Sequence, residues 1–405
     1  MKFEYFIANR LIKQKEKTFA RPVVRIAITS IALSIAVMLI AISVLQGFKK
    51  EIKNKIAGFG SHVQIVPYGL NRIDENQTIK LSKQELSLLS INENINTIAP
   101  TYTRSGAIIN KDDFQAVILK GIDKDYNTTF FKENLVEGKF IQLNKTSKQE
   151  VLISKTIAGK LKLKVGEKIK IYFYIDKSYR AKNFTISGIY DTGLGEYDER
   201  FIICDMTPLH NIFSAQENDY TSYEIMLKDF SRLDNTAEDI YYNVDRDKSV
   251  LPVTELEPNL FAWLNLLDSN VVMIILIMML VSVVTMSSVI LIMIFEKKTM
   301  IGILKSFGTE NKTIIKIFLY RAGYVTLKGM LYGNIFAITL ELVQKYSHLI
   351  KLDKESYYLT SVPIDINILD ILLIDIGAFI VCLVCLILPA KSISKISPVK
   401  NLKFQ

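Results

Sequence analysis

The chain has 405 residues, 49% of them hydrophobic and 22% charged, with a formal net charge of +9. So much apolar surface predicts that part of it faces lipid, and the cations flank the apolar runs instead of forming a stripe, so a membrane protein without a nucleic-acid partner is expected. Three cysteines (Cys204, Cys382, Cys385) and three scattered histidines (His62, His210, His348) suggest neither a disulfide framework nor a metal site.

At the start, Phe3, Phe6, Ile7 and Leu11 share a helical face beside Lys2, Arg10, Lys13 and Lys17, which predicts an interfacial helix over residues 1–22. Residues 26–48 then run without a charge for the ~20 positions a membrane helix needs, so a first span is expected over 23–48. The long basic lead-in, with no A-x-A site after the apolar run, argues for retention over cleavage as a signal peptide.

Residues 49–268 read as a large α+β domain. Alternating β-type runs recur at 63–66, 116–119 and 168–171. Ser82 with Glu85 spells a capping box, and Ser154 is placed as an N-cap. Turns are expected at 165–167 and 191–195, with Gly166, Gly193 and Gly195 at positive φ. The nearby Glu196, Asp198 and Glu199 lack the spacing of a calcium loop and are assigned no chemistry.

A second uncharged run predicts a span over 269–295. Residues 296–312 follow as a short loop with an amphipathic helix. Met300, Ile301, Ile303, Leu304 and Phe307 are expected on one face, Gly308 as the C′ residue, and Thr309 as N-cap of the next helix. Spans over 313–344 and 366–390 are separated by a short loop, 345–365, and a tail covers 391–405. Lys and Arg are concentrated in the N-terminal lead-in, the 296–312 loop and the tail, so the positive-inside rule puts both termini in the cytoplasm and the large domain outside.

The third and fourth spans carry charges, which need partners in lipid. Rises of 1.5 Å per residue put Lys328 roughly 21 Å and Asp375 roughly 14 Å into their spans from opposite sides, which predicts that the two pair. Gly329 and Gly333 form a G-x-x-x-G suited to close helix packing. No P-loop, nucleophile elbow, zinc motif or paired catalytic carboxylates occur, so no catalytic activity is expected and any energy source is a separate subunit.

Several stretches together resemble the permease subunits of lipoprotein-releasing (LolC/LolE) ABC systems, within the MacB/FtsX superfamily. They are residues 26–38, Gln46-Gly47-Phe48, 55–63, 188–194, 296–308, Val362-Pro363-Ile364, Leu388-Pro389-Ala390, Ile396-Ser397-Pro398-Val399 and Leu402-Lys403-Phe404. The resemblance implies an integral inner-membrane protein with four transmembrane helices and a two-lobed MacB-like periplasmic domain between the first two.

It further implies a coupling helix made by Lys297, Lys298, Met300, Ile301, Ile303, Leu304, Lys305, Phe307 and Gly308, gripped by a pair of cytoplasmic ATPase subunits that hold the ATP and Mg, with no cofactor on this chain. Other implied partners are a second permease copy or paralogue, triacylated lipoprotein cargo and a periplasmic carrier. Candidate cavity-lining residues are Met38, Ile42, Leu45, Phe48, Val271, Ile275 and Met278. One departure concerns the carrier: residues 172–182 are short and proline-free where the carrier-binding permease has a long proline-containing hook. A MacB-like exporter of peptides or small toxic molecules, and an FtsX-like signal transmitter to a periplasmic hydrolase, stand as alternatives.

Overall fold

The computed structural model describes Ile7 and residues 20–69, 77–110, 113–143, 149–175, 177–216 and 218–390. The expected tail over 391–405, with its family-like residues, lies outside the described residues, as does nearly all of the expected interfacial helix over 1–22.

In chain order the main elements are α1 (Ala20–Gly60), β1 (Val63–Pro67), α2 (Lys83–Ile91), β2 (Ile95–Asn110), β3 (Asp113–Ile122), β4 (Leu135–Gly138), β5 (Glu150–Ser154), α3 (Lys155–Leu161), β6 (Lys168–Ile175), β7 (Ser178–Tyr190), α4 (Gly195–Arg200), β8 (Phe201–Asp205), α5 (Met206–Phe213), β9 (Ser222–Leu227), α6 (Leu233–Asn243), β10 (Lys248–Pro252), α7 (Pro258–Glu296), α8 (Lys298–Ser306), α9 (Asn311–Ser347) and α10 (Ile368–Cys385). Two compact units result. One holds the chain up to Lys49 with Trp263–Lys351 and the chain from Ser361; the other holds Lys50–Ala262 with Leu352–Thr360.

The second unit is built on a ten-stranded sheet in the order β10-β1-β9-β2-β3-β8-β5-β7-β4, with β6 pairing to β2 and β7. Its sixteen-residue β2 serves both halves: Ile95–Thr101 pairs with β9, and Tyr102–Asn110 pairs with β3. β2 therefore joins the two halves of one continuous sheet. The capping box at Ser82 and Glu85 opens α2 as its spacing implied, and Ser154 Oγ accepts from Ile157 N–H to start α3. Gly166 and Gly193 take positive φ, but Gly195 does not; it opens α4.

A buried cation ends α1. Lys120 Nζ donates to the Phe59 carbonyl (2.6 Å) in the last turn, to Tyr126 Oη (2.9 Å) and to the Glu224 carboxylate (2.8 Å). The placement complements the negative end of the helix dipole, and Glu224 supplies the counter-charge that a buried ammonium requires.

In the first unit the helices outrun the apolar stretches that announced them. α1 has 41 residues, roughly 60 Å, about twice the thickness of a hydrocarbon core. It continues past residue 48, and α7 starts at Pro258, not 269. Where lipid-like sequence stops, propensity and capping still carry the helix on, and Lys49 Nζ pairs with Asp268 (2.5 Å) just past both apolar runs. α1, α7 and α10 are long and apolar enough to cross a membrane. The 37-residue α9 carries Lys312, Lys316, Arg321, Lys328, Glu341 and Lys345, and falls short of that composition.

α1, α7, α8, α9 and α10 all contribute to one apolar core, which includes Ile31, Met38, Met286, Ile290, Ile301, Phe318 and Ala378.

Candidate coupling site

The break between α7 and α8 takes one residue. Lys297 leaves helical geometry (φ −95°, ψ 19°), yet its N–H still bonds the Met293 carbonyl and its own carbonyl accepts from Ile301 N–H, so α8 follows with almost no slack. At the other end Gly308 adopts φ +81°. Its N–H bonds the Lys305 carbonyl (3.0 Å) while Thr309 N–H bonds the Leu304 carbonyl (3.0 Å), the paired bonds of a Schellman stop. Thr309 is thereby used to close α8; the N-cap of α9 is Glu310, not Thr309 as its sequence position suggested, and no side chain caps it.

α8 is nine residues long and tethered at both ends. Its apolar positions do not share one direction. Ile301 is fully buried and Gly302 is buried, while Met300 and Leu304 pack on the core and, with Ile7, on the buried Ile317. Ile303 (42% exposed) and Phe307 (83% exposed) face outward one turn apart; Lys298 is exposed, and Lys297 and Lys305 are half-buried. The single face expected from spacing is divided: three residues hold the helix down and two are presented.

The expected Lys328–Asp375 pair is not formed. Lys328 Nζ lies over the Tyr324 ring (4.8 Å to its centre), one turn away on the same helix, and Asp375 accepts from Asn334 Nδ2 at 2.6 Å. Depth alone did not determine the pairing: six residues separate Lys328 from Asn334, about 240° of helix rotation, so α9 turns Asn334 toward α10 and Lys328 away. Asn334 Oδ1 and Asp375 Oδ1 are both left without a partner.

Gly329 and Gly333 do mark a close helix crossing, and the partner is α1. A Cβ at Gly329 would lie 2.7 Å from Ile31 Cγ2, and one at Gly333 would lie 2.6 Å from the Ala32 carbonyl oxygen. A second close approach joins two of the family-like stretches: a Cβ at Gly47 would meet the Pro363 carbonyl oxygen at 2.6 Å, and Asp365 N–H donates to the Ser43 carbonyl.

The candidate cavity residues divide as well. Met38 is fully buried in the core, with Ile42, Ile275 and Met278 packed against it; Leu45 and Phe48 are buried, and Val271 is half-buried. What sequence reading passed over is the outer stripe of α7, where Val272, Leu276, Leu280 and Val284, each one turn from the next, are all more than half exposed. Only packing reveals it, because α7 is apolar on every side.

Residues 26–241 match the MacB-like periplasmic core domain, and residues 272–398 match the FtsX-like permease C-terminal family. The chain is thus a membrane protein of the MacB/FtsX-like permease class with a MacB-like periplasmic domain.

Curated relatives narrow the class. The lipoprotein-releasing system transmembrane protein LolC of Xylella fastidiosa is 20% identical over 395 residues, covering 94% of this chain and 93% of that protein. LolE of Haemophilus influenzae is 22% identical, with 99% of each chain covered. Among solved structures, the periplasmic region of MacB from Actinobacillus actinomycetemcomitans is 15% identical with a TM-score of 0.34, covering 52% of this chain and 97% of that one. This chain belongs to the LolC/LolE family of ABC-transporter permeases.

Proposed function

We propose that the chain is the permease half of an ATP-driven transporter that lifts triacylated lipoproteins from the outer leaflet of the bacterial inner membrane. In this reading α1, α7, α9 and α10 are four spans, both termini are cytoplasmic, and the sheet domain is periplasmic. A second permease, identical or paralogous, completes the pathway, and two ABC ATPase subunits carry the ATP and Mg.

One observation carries the reading: α8 is held between two long helices by short, fully hydrogen-bonded connections, and turns Ile303 and Phe307 outward. A helix so tethered cannot be pushed without moving α7 and α9, which is what a lever requires. The stop at Gly308 fixes its length.

The test is a comparison of two variants with the ATPase co-expressed. Ile303→Asp with Phe307→Asp is expected to leave membrane insertion intact, to lose co-purifying ATPase and to stop ATP-dependent release of a triacylated lipoprotein from proteoliposomes. Retained ATPase association and release would refute the lever. Release of a peptide substrate in place of lipoprotein would favour the MacB-like exporter, and a co-purifying periplasmic hydrolase the FtsX-like transmitter.

A further inference from the structure

The stretch 188–194, one of those that carry the family likeness, ends in a turn built around a buried carboxylate. Asp198 (3% exposed) accepts from Thr192 Oγ1 at 2.7 Å and from Gly193 N–H at 2.9 Å, while its own carbonyl accepts from Ser154 Oγ. Thr192 is fully buried. Such a turn has little freedom left.

Three segments from distant parts of the chain are tied to it or to the helix that follows. Lys55 Nζ donates to the carbonyls of Thr192 (2.5 Å) and Tyr358 (2.9 Å). Lys354 Nζ pairs with the Asp191 carboxylate at 2.5 Å. Tyr197 Oη donates to Glu257 Oε1 at 2.7 Å. Gly193 makes room for both lysines: at its φ of +76° a Cβ would lie 2.4 Å from Lys354 Cε and 3.1 Å from Lys55 Nζ.

The origin of these segments gives the arrangement its meaning. Lys55 lies on α1, Glu257 immediately precedes α7, and Lys354 and Tyr358 belong to the chain between α9 and α10. All the chain that enters the periplasmic unit from the four long helices is tied to residues 191–200. The Lys354–Asp191 pair is itself partly exposed, at 31% and 23%. Pairs of that kind add little to global stability, so what it supplies is position.

We propose that Asp191–Arg200 is a clasp, and that Lys55, Lys354 and Asp191 are positioning residues through which displacement of the long helices reaches the sheet domain. The proposal deepens the permease reading and rests on it for the source of the displacement. The clasp itself is a property of this chain alone.

Hydrogen exchange on the full-length chain in nanodiscs tests it. Lys354→Asp and Asp191→Lys are each expected to speed exchange at the Gly193, Tyr357 and Tyr358 amides about tenfold, equivalent to about 1.4 kcal/mol. The unfolding midpoint should hold, and Lys354→Asp combined with Asp191→Lys should restore slow exchange. In the complex with its ATPase, vanadate trapping should change exchange in the sheet domain of wild type and of the double exchange but not of either single variant. Unchanged local exchange in the single variants, a midpoint that falls in step with it, or an undiminished trapping response would each overturn the clasp. A wild-type complex that releases no lipoprotein would overturn the cargo reading, and the exchange rates would still decide the clasp.

Discussion

Gly333→Ala and Gly323→Ala, ten residues apart on α9, should have opposite effects on stability. At Gly333 the new methyl would sit 2.6 Å from the Ala32 carbonyl oxygen, 3.0 Å from Ile35 Cβ and 3.1 Å from Ala32 Cα. Two of those atoms are backbone and the third is fixed to it, so α1 and α9 must separate by several tenths of an ångström. Overpacking of that kind costs about 1–3 kcal/mol. Replacing glycine inside a helix returns about 1 kcal/mol of propensity. The net expectation is a loss of up to about 2 kcal/mol.

At Gly323 the methyl would meet only Leu383 Cδ2 at 3.8 Å and Phe379 ring carbons at 3.9–4.0 Å, which is ordinary contact. There the propensity gain stands, up to about 1 kcal/mol. Trp263, the single tryptophan, lies on α7 in the same unit and reports unfolding by fluorescence in mixed micelles of increasing SDS fraction. Equal or higher stability of Gly333→Ala relative to Gly323→Ala would refute the close crossing of α1 and α9.

Further outcomes follow from the polar groups. Asp375→Asn should be neutral or stabilising, because the new amide offers a donor to the orphaned Asn334 Oδ1, whereas Asp375→Ala should cost about 1–2 kcal/mol in the same micelle assay; equal losses would contradict the geometry. Exchanging the charges, Lys328→Asp with Asp375→Lys, should assemble no better than either single change, since the native pair is absent; clear rescue in a blue-native gel would restore the pairing.

Acid should weaken the sheet domain. Burial pushes His62 down to about 4, and its Nδ1 accepts from Leu227 N–H, so the fold holds it neutral. The unfolded chain, with a histidine near 6.5, binds the extra proton; stability is therefore full above about pH 6.5 and is lost as pH falls toward 4, by up to about 3 kcal/mol. Thermal melts at pH 7 and pH 4.5 should show this slope in wild type and a flatter one in His62→Asn; parallel slopes would exclude His62 as the source.

The extent of α8 was legible because its ends are local chemistry. Two lysines follow the apolar run of α7, and only glycine takes Gly308's φ without strain, so the length of the helix could be read directly. The division of its apolar positions was not, because spacing records which residues share an arc and not how much of that arc the neighbouring helices cover. Met300, Ile301 and Leu304 are covered, and Ile303 and Phe307 are not. Gly329 and Gly333 announced a close contact by their size, while the identity of the partner needed the tertiary structure. The extra turns of α1 and α7 were hidden for a different reason: hydropathy reports where lipid-like sequence ends, and a helix ends only where its backbone loses partners.

The ties at the far end of α1 show why its extra turns matter. Lys120 anchors the last turn from within the sheet domain through the Phe59 carbonyl, and Lys55, on the preceding turn, reaches the turn at Thr192 and the carbonyl of Tyr358. Around them Phe59 packs against the rings of Phe131, Tyr197 and Phe201. Losing Lys120 alone would leave Glu224 buried without its counter-charge, a far larger penalty than opening the half-exposed Lys354–Asp191 pair. The two attachments thus differ in strength by design of their burial: the inner one fixes α1 to the sheet, and the outer one can respond to small forces on the chain between α9 and α10 without unfolding anything.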